Sequence, residues 1–340
     1  KLALVGCGGI GRYHLGHILQ FTDLVEPVAF CDLLPERAEA FVAQAGSGKA
    51  YTDFWRMLDE TNPDMVFLCV PPTEHGPMER ELISRKIPFF VEKPIALHWD
   101  TAKAISDAID EIGLITAVGF QCRYDLLADK LAAFAKENEV VYINCTRFGG
   151  VPSQPWWKKK ALSGGQLLEQ TIHQLDYIRY TYGEPDTVFA IGARGFVKDI
   201  EGYDTDDLSA AVVTMENGAL LNIATGCYAR GGDAYESKLI YSAKDKRAEL
   251  FLLTRLDVYG ENLEVKPHDS ELVTVENNKV SYRHQGDAGI ACDRTFIEAV
   301  ISGDGSAIRS PYKDGLRSLA FALAYNESME TGRPAKVRKV

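Results

Sequence analysis

The sequence predicts an α/β chain of two domains: a doubly wound parallel sheet over residues 1–120, then an α+β domain over 121–340 built on a mainly antiparallel sheet. Three observations lead there. Chains of 340 residues usually divide into two cores of ordinary size. Up to Gly119, short unalternating apolar runs are separated by amphipathic stretches, the pattern of parallel strands covered on both faces. Beyond Tyr124 the pattern changes to longer strands with hairpin punctuation.

The runs of the first domain are Leu2–Val5, Val28–Cys31, Met65–Val70, Phe89–Val91 and Leu114–Val118. Between them, Glu36–Ala45 follows Pro35 at a first helical position, and Trp99–Ile112 repeats apolar residues at spacings of three and four. The second domain opens with a helix over about 125–136, a strand over about 140–148 and a helix over about 166–182. Asn217-Gly218 between Ala210–Val213 and Ala219–Leu221 marks a hairpin. Two final helices, about 290–301 and 314–330, end at Gly303 and Gly332.

Composition narrows the function. There are 37 basic and 48 acidic residues, a formal charge of −11, which disfavours nucleic acid and anionic membranes as partners. The one basic run, Lys158-Lys159-Lys160, reads by default as solvated loop. No apolar run approaches a membrane span. The seven cysteines are widely spaced and odd in number, which suits neither a disulfide framework nor a zinc site and points to a reducing cytoplasm.

Gly6-Cys7-Gly8-Gly9-Ile10-Gly11 follows the first strand and opens a helix, so backbone N–H groups and a helix N-terminus are available to a pyrophosphate. Gly6 permits the turn, Gly8 the approach of phosphate, Gly11 the packing of helix on strand. Asp32, about twenty residues after the last glycine, ends the second strand, where a carboxylate accepts from an adenosine ribose and repels a 2'-phosphate. Together they predict a Rossmann dinucleotide-binding domain that prefers NAD to NADP, with Arg37 nearby as the residue that would accommodate NADP.

The run Phe89–Val91 ends in Glu92-Lys93-Pro94, at the strand edge that faces the ligand crevice. A lysine there can hydrogen-bond a reacting oxygen. Val70-Pro71-Pro72-Thr73-Glu74-His75 ends another strand, and His75 either caps the next helix or lines the cofactor cleft. Glu169 and His173 stand one helical turn apart with Asp176 three residues on, so a carboxylate can orient the ring for proton exchange; an exposed pair or a buried structural network is the alternative.

In this order the motifs resemble the glucose-fructose oxidoreductase/inositol dehydrogenase (Gfo/Idh/MocA) family over nearly the whole chain. The matches are the glycine loop, Pro71-Pro72 to His75, Glu92-Lys93-Pro94, and Gly119-Phe120-Gln121-Cys122-Arg123-Tyr124. Gly164-Gly165-Gln166 through His173 to Asp176, Asp314-Gly315-Leu316, Glu327-Ser328 and Thr331-Gly332-Arg333-Pro334 complete them. The resemblance implies that the second domain's sheet is large and open on one face, through which a homodimer or homotetramer forms. It implies Lys93, His173 and Glu169 as catalytic residues, Glu169 standing in the position where inositol dehydrogenases carry aspartate. Cofactor contacts are implied for Gly6, Gly8, Gly9, Ile10, Gly11, Asp32, Arg37, Val70, Pro71, His75, Glu92, Lys93 and Gln121. Substrate contacts are implied for Lys93, Arg123, Tyr124, Trp157, Glu169 and His173, and no metal.

Trp156-Trp157 precedes the histidine helix; an aromatic face there would stack on a sugar ring, and core packing is an equal alternative. The expected function is that of an NAD(P)-dependent dehydrogenase interconverting a secondary alcohol and a ketone on a sugar, cyclitol or glycoside. The rivals are a non-catalytic dinucleotide-binding sensor or regulator of the same fold, and a reductase of a dihydrodiol- or biliverdin-type substrate.

Overall fold

The computed structural model describes residues 1–263 and 273–340. They divide into two compact units: Lys1–Tyr124 with Asp287–Leu316, and Asp125–Gly286 with Arg317–Val340.

The first unit alternates strand and helix: β1 (Leu2–Val5), α1 (Gly9–Ile18), β2 (Pro27–Cys31), α2 (Pro35–Ala45), β3 (Lys49–Tyr51), α3 (Phe54–Thr61), β4 (Met65–Leu68), α4 (Pro77–Ser84), β5 (Phe89–Val91), α5 (Trp99–Ile112) and β6 (Thr116–Val118). The strands form one parallel sheet in the order β3-β2-β1-β4-β5-β6. Direction of winding reverses between β1 and β4, so a crevice opens at their carboxyl ends. β3 has no counterpart among the apolar runs of the sequence, since Lys-Ala-Tyr pairs as an edge strand with two of its three residues exposed.

In the second unit, α6 (Leu126–Glu137), β7 (Tyr142–Phe148), α7 (Lys160–Ser163) and α8 (Ile172–Thr181) precede β8 (Pro185–Ala193), β9 (Leu208–Met215), β10 (Leu220–Gly226), β11 (Glu236–Ser242), β12 (Arg247–Phe251), β13 (Arg255–Tyr259), β14 (Val273–Glu276) and β15 (Lys279–Arg283). Then come α9 (Ala288–Ser302), α10 (Tyr312–Thr331) and β16 (Ala335–Lys336). The sheet runs β14-β15-β13-β12-β11-β7-β10-β9-β8-β16; β7 and β10 pair in parallel and the other described pairs are antiparallel. The hairpin expected at Asn217-Gly218 joins β9 to β10, with Gly218 at φ 89°. Gly303 and Gly332 end α9 and α10 in the left-handed conformation, as expected of C-terminal glycines.

Two features differ from the sequence reading. α9, expected in the second domain, packs into the first unit's core: Cys292, Phe296 and Ile297 join Leu4, Phe67 and Phe90. An amphipathic pattern says that a helix covers a core but not which one. The helix expected over 166–182 is also broken in type, a π-helical turn at Leu167–Thr171 leading into α8.

Candidate functional site

In the first unit the strand ends converge on one edge. Gly6 has φ 91°, and a Cβ there would come within 2.2 Å of the Cys69 carbonyl oxygen. A Cβ on Gly11 would come within 2.0 Å of the Gly6 carbonyl oxygen, so both positions require glycine. Gly8 and Gly9, at the start of α1, would place a Cβ in open space. Gly8 gives the helix no side-chain cap, and Ile10 beside it is exposed. This bare helix N-terminus is a cradle into which a diphosphate fits. Asp32 follows β2; its carboxylate accepts from the Cys7 N–H at 2.8 Å and the Leu34 N–H at 2.9 Å. These bonds fix the carboxylate beside the glycine loop while leaving acceptor capacity for a ribose. Arg37 is exposed in the first turns of α2.

Val70 and Pro71 are half-buried beyond β4 and lead into a short turn over Pro72–Glu74. His75 is buried with Nδ1 2.6 Å from Glu79, whose other oxygen accepts from the Gly76 N–H at 2.6 Å. The His75 ring thus bonds the carboxylate that caps the start of α4. Lys93 is half-buried past the end of β5. Glu92, expected at the cofactor, is buried and turned inward, 3.0 Å from His14 and accepting the Lys93 N–H at 3.1 Å. A buried carboxylate needs donors, and His14 supplies one.

Gln121, half-buried, opens a turn containing Arg123 and Tyr124. Both were expected at the substrate, and both have structural partners. Arg123 donates to the Arg309 carbonyl at 2.6 Å and pairs with Asp314. The Tyr124 hydroxyl accepts the Arg309 N–H at 2.9 Å, and burial pushes its ionisation up. The guanidinium is 2 % exposed, so these bonds stand in for its lost hydration.

In the second unit, Gly164 and Gly165, at φ 75° and 90°, end α7 and turn the chain into the π-helical turn. Gln166 is buried under it, donating to Thr171 at 2.9 Å and Thr225 at 2.8 Å. π-Helical turns leave backbone geometry irregular and are frequent at functional sites. His173 is half-buried at the start of α8. Glu169 is buried and accepts the Trp157 indole N–H at 2.5 Å and the Gln170 amide. Trp157 is 1 % exposed, so of its two readings the structure takes core packing over an open stacking face. Asp176 is buried and accepts the Ser318 hydroxyl at 2.6 Å.

One residue here, Arg147, carried no signal in the sequence, and it acts through Gln170 of the matched motif. Arg147 on β7 donates to Gln170 at 2.6 Å, and Gln170 donates to Glu169, so an amide bridges the cation to the carboxylate. Burial lowers the Arg147 pKa against the opposing influence of Cys227, Glu169 and Tyr235. A cavity of about 490 Å³ adjoins it, lined among others by Gly150, Pro152, Tyr235 and Ser237.

Comparison with known proteins settles the family. Residues 1–120 match the family model of the oxidoreductase family with an NAD-binding Rossmann fold, and residues 138–262 match the GFO/IDH/MocA C-terminal domain. The chain belongs to the Gfo/Idh/MocA oxidoreductase family. As a Gfo/Idh/MocA protein it is an oxidoreductase, and its first unit is an NAD-binding Rossmann domain. It is 28% identical over 257 residues to scyllo-inositol 2-dehydrogenase (NAD(+)) of Bacillus subtilis, covering 74% of this chain and 70% of that protein. It is 24% identical over 349 residues to myo-inositol 2-dehydrogenase of Thermotoga maritima, covering 100% and 99%. In fold it superposes on the WlbA dehydrogenase of Chromobacterium violaceum, solved with NADH and UDP-GlcNAcA, with a TM-score of 0.84 at 20% identity, over 100% of this chain and 96% of that one. No helix among the described residues is long and apolar enough to cross a membrane.

Proposed function

We propose that this family member is an NAD-dependent dehydrogenase interconverting a secondary alcohol and a ketone on a sugar, cyclitol or glycoside. The observation that carries the reading is the set at the first unit's strand edge: open glycines at the start of α1, Asp32 held beside them, and Lys93 past β5. Gly8 and Gly9 would take the diphosphate and Asp32 the adenosine ribose. NAD, when bound, supplies the hydride acceptor. Lys93 donates a hydrogen bond to the reacting oxygen and stabilises its alkoxide character. His173 takes the hydroxyl proton on an imidazole nitrogen. Glu169, held by Trp157 and Gln170, supports the histidine helix from its buried side. The activities named for the two inositol dehydrogenases support the substrate class.

The test is a panel of myo-inositol, scyllo-inositol and glucosides incubated with NAD, read by the absorbance of reduced nicotinamide. Turnover of one of them is expected, with Lys93→Met slowing it by at least ~10²-fold, the loss of one transition-state donor. Binding of NADH without turnover of any panel member would instead favour a regulator, or a reductase acting outside that panel.

The same reading includes self-association. β8 and β9 present Phe189 opposite Val212, with Ile191 beside them, all exposed on one face of the second unit's sheet. Burying that apolar face against a second copy removes it from water. Sedimentation should show a dimer or tetramer that Val212→Lys dissociates; a monomeric wild type would overturn this. The seven cysteines, all free and buried, fit a reducing compartment such as cytoplasm.

A further inference from the structure

A buried ionic cluster lies directly behind the glycine loop. His14, on α1, stands between two carboxylates. Its Nδ1 is 2.9 and 2.8 Å from the two oxygens of Asp293 on α9, and its Nε2 is 3.0 Å from Glu92 Oε1. All three side chains are almost wholly buried. Ionised carboxylates only accept hydrogen bonds, so a ring bonded to both must donate from both nitrogens. Burial opposes the charge, but Asp293 and then Glu92 outweigh it and raise the His14 pKa to about 10. Phe67 and Phe90 pack against the ring, their centroids 5.7 and 5.0 Å away.

The surroundings complete the clamp. Asp293 also meets His17 Nδ1 at 2.7 Å, while Asp287 lies 3.4 Å from His17 Nε2 and accepts the Tyr13 hydroxyl at 2.6 Å. His14, His17 and Asp293 bring their ligand atoms within 4.8 Å of one another, a grouping that could suggest a metal. An imidazolium has no lone pair to give a metal, so His14 bonded at both nitrogens removes one of the three ligands.

From Glu92 the chain of contacts reaches the proposed site. Its Oε2 accepts the peptide N–H of Lys93 at 3.1 Å. Gly119, after β6, leaves room for this carboxylate, since a Cβ there would come within 2.1 Å of Glu92 Oε1. The carboxylate is therefore clamped by His14 on one side and by the neighbouring backbone on the other.

We infer that His14 is a positioning residue for Lys93: bonded through both ring nitrogens, it ties Asp293 to Glu92, and Glu92 fixes the peptide from which the Lys93 side chain departs. The inference rests on the role proposed for Lys93. It gives α9, about two hundred residues away in sequence, a part in the geometry of the site: Asp293 orients His14, His14 orients Glu92, and Glu92 holds the lysine's backbone. A small displacement of a transition-state donor is costly because its hydrogen bond depends on aim as well as distance.

The test uses the full chain with Asp293→Asn, Glu92→Gln and Lys93→Met. Lysines are reductively methylated with ¹³C-formaldehyde, and the Lys93 resonance is assigned by its absence from Lys93→Met. Asp293→Asn is expected to move that resonance while leaving those of the other lysines in place. Single-turnover hydride transfer from the substrate found in the panel should slow by ~10-fold or more, with NADH affinity by fluorescence titration within about twofold of wild type. Should Asp293→Asn fail to fold, Glu92→Gln, which removes the charge at the lysine end, decides by the same readouts. An unmoved Lys93 resonance with hydride transfer at the wild-type rate in the folded variant overturns the inference, and a slow Lys93→Met beside it leaves the proposed function standing. Wild-type hydride transfer by Lys93→Met overturns both.

Discussion

The indole N–H of Trp157 is donated to Glu169 at 2.5 Å, with both side chains buried. The tryptophan before the histidine helix is thus a donor to a buried carboxylate. Trp157→Phe keeps most of the apolar volume and removes the donor, leaving a buried oxygen short of a partner at a cost of ~1–3 kcal/mol. The urea-unfolding midpoint should fall accordingly. Substrate KM should stay within about twofold of wild type even in Trp157→Leu, which also removes the aromatic face, whereas loss of a stacking platform would raise it about tenfold, or ~1.4 kcal/mol. A tenfold rise in KM in Trp157→Leu but not in Trp157→Phe would restore the stacking role.

The glycines of the loop separate into two kinds. Gly11→Ala forces a Cβ against the Gly6 carbonyl, a backbone atom that cannot swing away, and should destabilise the first unit by ~1–3 kcal/mol. Gly8→Ala places its Cβ in open space, so stability should change by less than ~0.5 kcal/mol. It nevertheless narrows the approach to the start of α1, and NADH affinity should drop by about tenfold. Thermal unfolding and NADH titration on the two variants check this. Equal NADH affinity in Gly8→Ala and wild type would move the diphosphate elsewhere.

Those glycines were legible in the sequence because each answers a local backbone requirement, and the carboxylate of Asp32 lies where the strand and loop place it. The short unalternating apolar runs, separated by amphipathic stretches, likewise gave away the parallel sheet. His14 and Asp293 were not legible as partners: they are far apart in the chain, and a histidine on an apolar helix face looks the same whether it packs or clamps. The π-helical turn at Leu167–Thr171 has no residue signature, so the sequence suggested a continuous helix and a simple Glu169–His173 pairing. The Trp157–Glu169 bond, across twelve positions, depends on that turn and on the paired glycines before it. Arg123 shows the same limit, since its partners Arg309 and Asp314 lie far along the chain, in a segment that returns to the first unit.

Asp32 should set coenzyme choice. Its carboxylate would lie against a 2'-phosphate, so kcat/KM with NAD should exceed that with NADP by at least about tenfold. The same carboxylate holds the Cys7 N–H, so Asp32→Ala should bring the ratio toward unity mainly by losing efficiency with NAD. A preference for NADP in the wild type would transfer the role to Arg37.

The His14 clamp makes stability depend on pH in a stated direction. Its folded pKa, about 10, lies above the ordinary 6.5 because Asp293 and Glu92 outweigh the cost of burial. Below 6.5 both folded and unfolded chains carry the proton, and the clamp contributes in full. Between 6.5 and about 10 only the folded chain holds it, so the contribution declines as pH rises, by up to ~1.4 kcal/mol per unit. Above about 10 it is lost. The groups around the ring are Asp293, Glu92, His17, Asp287 and Tyr13, and the thiols of Cys69 and Cys292 are held up by burial and then by Glu92 and Asp293. Comparing wild type with His14→Gln isolates the ring, because the glutamine does not titrate while the neighbours remain in both. Urea unfolding at pH 7, 8 and 9, spaced across the interval that the raised pKa defines, should show the wild type more stable and the gap narrowing as pH rises. A constant gap would mean that the folded chain holds no extra proton at His14, and that one of the two carboxylates is bonded to a neutral ring.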